Sequence, residues 1–455
     1  MVSQGLPSRH TASRVIRRLG LQGPEMEQRD SRDMRRAAAM LAIAWLAGCA
    51  APPPSSEQAA PVPVPVAAPA PPPPAPPAPP PPPPPPPAPP TQPHAEAVLS
   101  AANTLFSKAQ LAPADKGARY TVLVDPLVDG VSRQQTRTTQ AMETRIVQLA
   151  KSNYPQFEVR PFNAANLAQS PLLIVGTFTP INQEGKSEGE RSMYRFCLVM
   201  VDLKSGKLVS KAVTRSKMET VDATPPPFFA DAPAWTRDPV TEGYVKTCQA
   251  SKPGDAIQPS YVEGLVTASL VDEGVRAYNA RQYKTAQTLF NKAATMGAGQ
   301  QLRVLSGQYL TSWKLGQREA TWQSFAKLVD FGLAQGQLGM QFTFATGSTV
   351  LGPDGIGIPN NLWIKVIAQR LNESKGCAEI GGHASRGGPE AINERLSAAR
   401  AEYVMRRLVD EAPALGKRLV SVGYGSRANV IGTGRDDASD QLDRRVEIKP
   451  LACSG

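Results

Sequence analysis

The chain has 455 residues, room for two or three domains. Aromatics make up 6% of it, and more than half of its 45 prolines fall between Ala51 and Pro93, a stretch that cannot bury a core. A formal charge of +11 comes without any Lys/Arg stripe interleaved with aromatics, which argues against a nucleic-acid partner, and three histidines (His10, His94, His383) leave a His-based metal site or catalytic triad one candidate, His383.

Arg35 and Arg36 precede an apolar run from Ala37 to Trp45, which Leu46-Ala47-Gly48-Cys49 closes. A basic flank, a short apolar run and small residues at its end describe a secretory signal, too short to span a bilayer permanently. The last four residues resemble the lipobox of bacterial lipoproteins, which implies that the Cys49 thiol becomes a lipidated N-terminus. The competing reading is an unlipidated signal with a chance cysteine. Met34 is the better start for such a signal, so 1–33 reads as an upstream segment. Ala50 stands where inner-membrane lipoproteins of Gram-negative cells tend to carry an Asp. The resemblance therefore implies an outer-membrane lipid anchor facing the periplasm. Residues 50–95 read as a Pro/Ala-rich disordered tether. In polyproline II, at about 3.1 Å per residue, it would reach on the order of 100 Å. The alternative is a ligand for a Pro-recognising module.

Beyond the tether, Tyr120–Pro126 predicts a buried strand, and Thr138–Ala150 a helix with Met142, Ile146 and Leu149 at helical spacing. Phe157–Val159 and Pro171–Phe178 predict strands. Tyr194–Asp202 and Leu208–Thr214 predict a hairpin with Gly206 in its turn. This alternation predicts an α/β domain over 96–253. Leu173–Thr214 resembles the lipoproteins that activate penicillin-binding proteins and the curli-secretion lipoproteins; the resemblance carries Gly176-Thr177 and the Val201–Gly206 turn. It implies regulatory activity, beside the plainer reading of a scaffold. Asp125 and Asp202 read as turn residues. No paired carboxylates stand with a supporting nucleophile, so no enzyme is expected.

Over 258–335, Gly274, Tyr283, Ala286, Phe290 and Ala293 are spaced as in the tetratricopeptide repeat, which this segment resembles. A poorer copy runs from Leu302 to Gly332, with Gly316 and Phe325 in roughly matching places. Small residues would let two helices approach, with Phe290 filling the groove between them; Trp313 and Trp322 read as packing residues.

From 338 on, Gln341–Ser348 predicts a strand running into a loop, Asn361–Leu371 a helix, and Cys377–His383 a strand. Asn393–Val409 predicts a second helix, with further strands at Leu419–Gly425 and Arg444–Ile448. The pattern is a βαβαββ sandwich with helices on one face of a mixed sheet. Gly382-His383-Ala384-Ser385, the run Asn393–Ala401, Gly423–Ser426 and Asp443–Glu447 occur in the order of the OmpA-like peptidoglycan-binding domain, which residues 338–455 resemble. The fold class is thus multidomain α/β plus α: an α/β domain, tetratricopeptide-like hairpins and an OmpA-like C-terminal domain.

That resemblance implies peptidoglycan, through its diaminopimelate stem peptide, as the partner. A guanidinium would capture a carboxylate and an acid the ammonium. By the family's motif the guanidinium is Arg400, with Asn393 supporting the loop and Ser385, His383 and Arg444 beside it. This chain departs from the family at two acids, with Ser385 after the Gly-His motif and Ala345 after the first-strand Phe344. Asp354, Asp436 and Asp437 are the candidate substitutes. The plainer readings are a packing histidine at 383 and a loop held by Arg444 and Arg445.

With Cys49 lipidated, four cysteines remain, and an oxidising periplasm favours disulfides. Three pairings are possible. Cys377–Cys453 is preferred, because one begins a strand and the other follows its antiparallel neighbour; Cys197–Cys248 then closes the middle domain. No cofactor and no metal-ligand spacing appears. Three functions fit: a tether between outer membrane and wall with unidentified envelope proteins as further partners, a regulator of a cell-wall synthase, or a structural part of an envelope secretion machine.

Overall fold

The computed structural model describes residues 90–455 apart from 114–116, 170, 220, 343, 345–347, 352–358, 436 and 454–455. The expected lipid site Cys49, most of the expected tether, and Ala345, Asp354 and Asp436 lie outside the described residues.

The first half contributes β1 (Thr91–Gln92), α1 (His94–Ser107), β2 (Tyr120–Val124), β3 (Val128–Asp129), α2 (Arg137–Asn153), β4 (Phe157–Val159), α3 (Ala164–Leu167), β5 (Leu172–Ile181), β6 (Met193–Asp202) and β7 (Lys207–Lys217). Its mixed sheet runs β1-β7-β6-β5-β2-β4, with β3 also on β5. Residues ahead of the tether end expected at 95 already join the fold: β1 pairs parallel with β7, and the His94 ring packs on Phe178 and Phe196 at 5.6 and 5.3 Å. Ala97, Val98, Ala101, Ala102, Leu105 and Phe106 then bury one face of α1.

All ten residues of β5 are buried, because both faces of the sheet are covered. Ile174, Phe178, Phe196, Leu198 and Met200 meet α1 and α2 on one side. Their alternates Leu173, Val175, Cys197, Val199 and Val201 point to the other side. There they meet Tyr244, Val245 and Cys248 of α5 (Pro239–Gln249), which follows α4 (Pro227–Asp231) and β8 (Ala234–Trp235). A disulfide joins Cys197 to Cys248 across this layer.

After α6 (Pro259–Val262), four helices follow: α7 (Leu265–Asn279), α8 (Tyr283–Ala294), α9 (Leu302–Lys314) and α10 (Arg318–Ala334). Phe290 is fully buried between Gly274 and Gly307. A Cβ at Gly274 would stand 2.9 Å from the ring, and one at Gly307 would overlap it, so the two glycines make the space Phe290 fills.

The C-terminal elements are β9 (Leu338–Met340), α11 (Asn360–Ser374), β10 (Cys377–Gly382), α12 (Glu390–Glu411), β11 (Leu419–Gly423) and β12 (Val446–Leu451). Their sheet is mixed and runs β11-β10-β12-β9-β8. The first strand is Leu338–Met340 rather than Gln341–Ser348. These three residues are buried between β12 and β8, whereas Phe344 makes an isolated bridge to Leu351. Strand β8 comes from ahead of the helical segment, an addition the motif pattern did not predict. The second disulfide, Cys377–Cys453, ties the start of β10 to the chain just beyond β12.

The boundary expected between 335 and 338 is no break in packing. One apolar core runs from Phe228 through α7–α10 into α11, α12 and the second sheet. At its centre the Trp363 indole N–H donates to the Tyr309 hydroxyl at 2.8 Å, and Phe325 stacks on Trp363. Arg370 of α11 grips Asp330 of α10 through Nε and Nη2, both at 2.7 Å.

Candidate functional site

Helix α12 lies across the carboxyl ends of two parallel strands, β10 and β11. The approach is close enough to require glycine at both ends. A Cβ at Gly382 would overlap the Ser397 carbonyl oxygen, and one at Gly423 would stand 2.7 Å from the Ala398 nitrogen. The Ser397 hydroxyl accepts the Gly425 N–H at 2.9 Å, and Glu390 accepts the Ser426 N–H at 3.1 Å. Asn393, also on α12, donates to the carbonyls of Ser385 and Gly387, both at 3.2 Å, and so holds the loop that leaves β10.

On this helix Arg400 is 9% exposed. Its guanidinium lies 4.7 Å over the Phe344 ring, and its Nε donates to the Ser348 carbonyl at 3.1 Å. Both partners belong to the chain that leaves β9. Arg400, Asn393 and Ser385 therefore share one region, where the β9–α11 chain and the β10–α12 loop meet α12. Motif spacing located Arg400 but not the ring beneath it. A Phe beside the first strand was visible in the sequence, and its role as a cation–π platform was not.

The structure does not bring His383 to that region. Gly382 faces Ser397 on the helix side, so the next side chain along the strand points to the opposite face. There the His383 ring stacks on Tyr424 at 5.0 Å, and its Nε2 lies 3.4 Å from Glu447 Oε2. Glu447 is 1% exposed. Its Oε1 accepts from Arg445 Nε and Gln337 Nε2, each at 2.7 Å, and Lys449 Nζ lies 3.3 Å from Oε2. Burial alone would raise this carboxyl, but His383, Arg445 and Lys449 outweigh it and hold the group well below the usual carboxylate range. Burial lowers His383, against the pull of Glu447, so its imidazole is neutral near pH 7.

Arg444 sits in the final loop, where Nη2 donates to the Asp437 carbonyl at 2.8 Å. Beside it, buried Asp443 accepts the N–H groups of Val430, Ile431 and Gly432 at 2.6, 2.8 and 2.7 Å. Asp437 caps its own turn by accepting the Ser439 N–H at 2.8 Å. The Asp-Arg-Arg-Val-Glu motif thus divides its work: Asp443 shapes the loop, Arg445 neutralises Glu447, and Arg444 lies on the loop's outer side.

Elsewhere, Asp125 is no turn residue. It is fully enclosed and accepts the Tyr261 hydroxyl, and burial pushes its carboxyl up to about 7. Asp202 does hold a turn, accepting the Lys204 N–H at 3.0 Å. Among the described residues no helix is long and apolar enough to cross a membrane.

The C-terminal elements thus form a mixed sheet carrying α11 and α12, with the Arg400 guanidinium on the second of these helices. Among solved structures, the chain is similar to the periplasmic domain of MotB from Helicobacter pylori, 20% identical over 26% of this chain and 76% of that one, at a TM-score of 0.22. It is also similar to the cell wall anchor of the type VI secretion system from Pseudomonas aeruginosa, 23% identical over 26% of this chain and 81% of that one, TM-score 0.22. A third is the peptidoglycan-associated lipoprotein from Burkholderia pseudomallei, 23% identical over 26% of this chain and 93% of that one, TM-score 0.22. No family model and no curated protein matches the chain, and no comparison carries the tetratricopeptide likeness.

Proposed function

We propose that the chain is a lipoprotein anchored in the outer membrane at Cys49, facing the periplasm, that grips peptidoglycan noncovalently through residues 338–453. The observation that carries this reading is Arg400: a guanidinium fixed on α12 by the Phe344 ring and the Ser348 carbonyl, at the position the sequence motif assigns to carboxylate capture. Fixing the side chain beforehand lowers the entropy lost when a carboxylate of the diaminopimelate stem docks. Asn393 supports the site by holding the loop that carries Ser385. His383 and Arg444, placed on the far sheet face and in the final loop, serve the domain's stability rather than the ligand. The Pro/Ala-rich stretch between anchor and fold supplies reach.

The test is co-sedimentation of residues 90–455 with purified diaminopimelate-type peptidoglycan. The whole folded region is used because the C-terminal domain shares its core with α7–α10. Wild type is expected in the pellet and Arg400→Ala in the supernatant. Arg406→Ala, an exposed arginine on the same helix, is the control. Equal pelleting of wild type and Arg400→Ala would remove Arg400 from the site. Failure of wild type to pellet would remove wall binding.

A further inference from the structure

A cleft of about 760 Å³ opens between the β5–β6 loop and the loops that follow β10 and β11. Its volume falls within the range of about 300–1,000 Å³ usual for small-ligand sites. Arg400 does not line it. At its floor the Arg445 guanidinium lies 6.0 Å over the Trp235 ring, already committed to Glu447. Arg191 closes one side. Its buried Nη2 donates to the Asn429 carbonyl at 2.7 Å and the Ser187 carbonyl at 2.9 Å, which fastens the β5–β6 loop to the C-terminal loops. Gly432, at φ +68°, leaves the room: a Cβ there would overlap Arg191.

Two guanidiniums and two carboxylates of the lining remain unspent, the carboxylates being Glu188 and Glu190, whose side chains have no hydrogen-bond or ion-pair partner among the described residues. Arg237 and Arg386 line the cleft from separate parts of the chain, and among the described residues neither guanidinium has a hydrogen-bond or ion-pair partner. Asn429 donates Nδ2 to the Ala384 carbonyl at 2.8 Å, while its buried Oδ1 accepts nothing among the described residues. Of the lining carboxylates, Glu390 is engaged by Ser426 and Arg427. Two guanidiniums fit two carboxylates, and carboxylates beside them fit an ammonium.

We infer that this cleft is a second peptide site, in which Arg237 and Arg386 take free carboxylates of a wall stem peptide and Glu188 and Glu190 face its ammonium. The source of the peptide rests on the wall-binding reading above; the cleft's chemistry does not. The chain would then hold two stems at once, one at Arg400 and one here, which raises avidity for a polymer without any stronger contact.

The experiment is calorimetric titration of residues 90–455 with the disaccharide tetrapeptide released from diaminopimelate-type peptidoglycan, and with the same muropeptide after its carboxylates are amidated. Wild type is expected to bind two equivalents. The double variant Arg237→Ala/Arg386→Ala and the single reversal Arg386→Glu are each expected to keep one equivalent and lose the other at least tenfold. All should melt with the wild type, since neither arginine has a partner to lose. Amidation should weaken the cleft equivalent at least tenfold. One equivalent in wild type, abolished by Arg400→Ala and untouched by the cleft variants, would overturn the cleft site and leave the wall reading standing. One equivalent abolished by the cleft variants and untouched by Arg400→Ala would uphold the cleft and remove Arg400.

Discussion

The resemblance implies acids at two positions that hold Ser385 and Ala345 here, and under the proposed function those acids would meet the ligand's ammonium. Ser385 lies on the loop that Asn393 holds, so its backbone already has its place. Ser385→Asp is therefore expected to raise the fraction of protein that pellets with peptidoglycan at limiting wall concentration, and an unchanged fraction would show that another group meets the ammonium. The Glu447 cluster makes a different prediction. Arg445 and Glu447 are 5% and 1% exposed, and removing one partner of such a pair costs about 3–5 kcal/mol, because it strands the other charge. Arg445→Ala should lower the urea midpoint accordingly, while Arg445→Met with Glu447→Gln, which removes both buried charges and leaves only the partly exposed Lys449 beside them, should cost less. The pH dependence has a definite sign. Glu447 titrates below its unfolded value of 4.5, so its contribution is complete above that value and is lost as pH falls through the folded pKa. His383, held neutral, adds a loss as pH falls below about 6.5. The buried acids beneath α7 act in the opposite sense. Burial pushes Asp125 to about 7 and Glu143 to about 8, so each costs stability as pH rises from its unfolded value through its folded one. Asp125→Asn, which can still accept the Tyr261 hydroxyl, should raise the melting temperature at pH 8 and leave it nearly unchanged at pH 4. An equal effect at both pH values would count against a protonated Asp125.

At the scale of elements, Gly382 tests how α12 is set on its sheet. Its missing Cβ admits the Ser397 carbonyl, so Gly382→Ala must push the helix off β10, and overpacking of this kind costs about 1–3 kcal/mol. Because Arg400 lies three residues beyond Ser397, the same change should weaken wall binding even below the melting transition. Retained binding at a lowered melting temperature would show that the two are uncoupled. The sequence carried this motif plainly, since both glycines and the Asn393–Ala401 spacing follow directly from the close crossing. The elements that escaped prediction share a physical cause. Helix α1 follows a proline tract and has Pro93 ahead of its first turn, so composition masked an amphipathic stripe of small residues from Ala97 to Ala102. Strand β9 is three residues long and stabilised by neighbours on both sides, one of them more than 100 residues upstream; no local periodicity reports such a partner. His383 was grouped with Arg400 because both stand in motifs that the domain resemblance carries. Strand alternation then turns its side chain to the other face, a distinction that one residue of register decides. The Arg191 cleft was invisible for a related reason: its walls lie some 240 residues apart and meet only in three dimensions.

For the whole molecule, the shared core implies that the C-terminal domain is not an independent bead. Excising residues 338–455 would strip β9 of its β8 partner and open a sheet edge. It would also remove Tyr309 and Phe325 from Trp363, a ring 2% exposed in the intact fold, and leave Arg370 without Asp330. Exposing a buried aromatic side chain of this size forfeits about 1.5–3 kcal/mol, and the ends of α11 and β9 lose further apolar cover. The excised domain is therefore expected to melt well below residues 90–455 and to bind a hydrophobic dye at temperatures where the longer chain does not. Residues 90–455 should lose their α7–α10 helices and their C-terminal sheet in one transition, followed by Trp363 fluorescence in a variant where Trp235, Trp313 and Trp322 are phenylalanine. Equal melting temperatures for the two lengths would mean the interface contributes little, and wall anchoring could then proceed on a domain free to move. A shared transition would mean instead that the C-terminal sheet and α7–α10 unfold as one cooperative unit across their shared core.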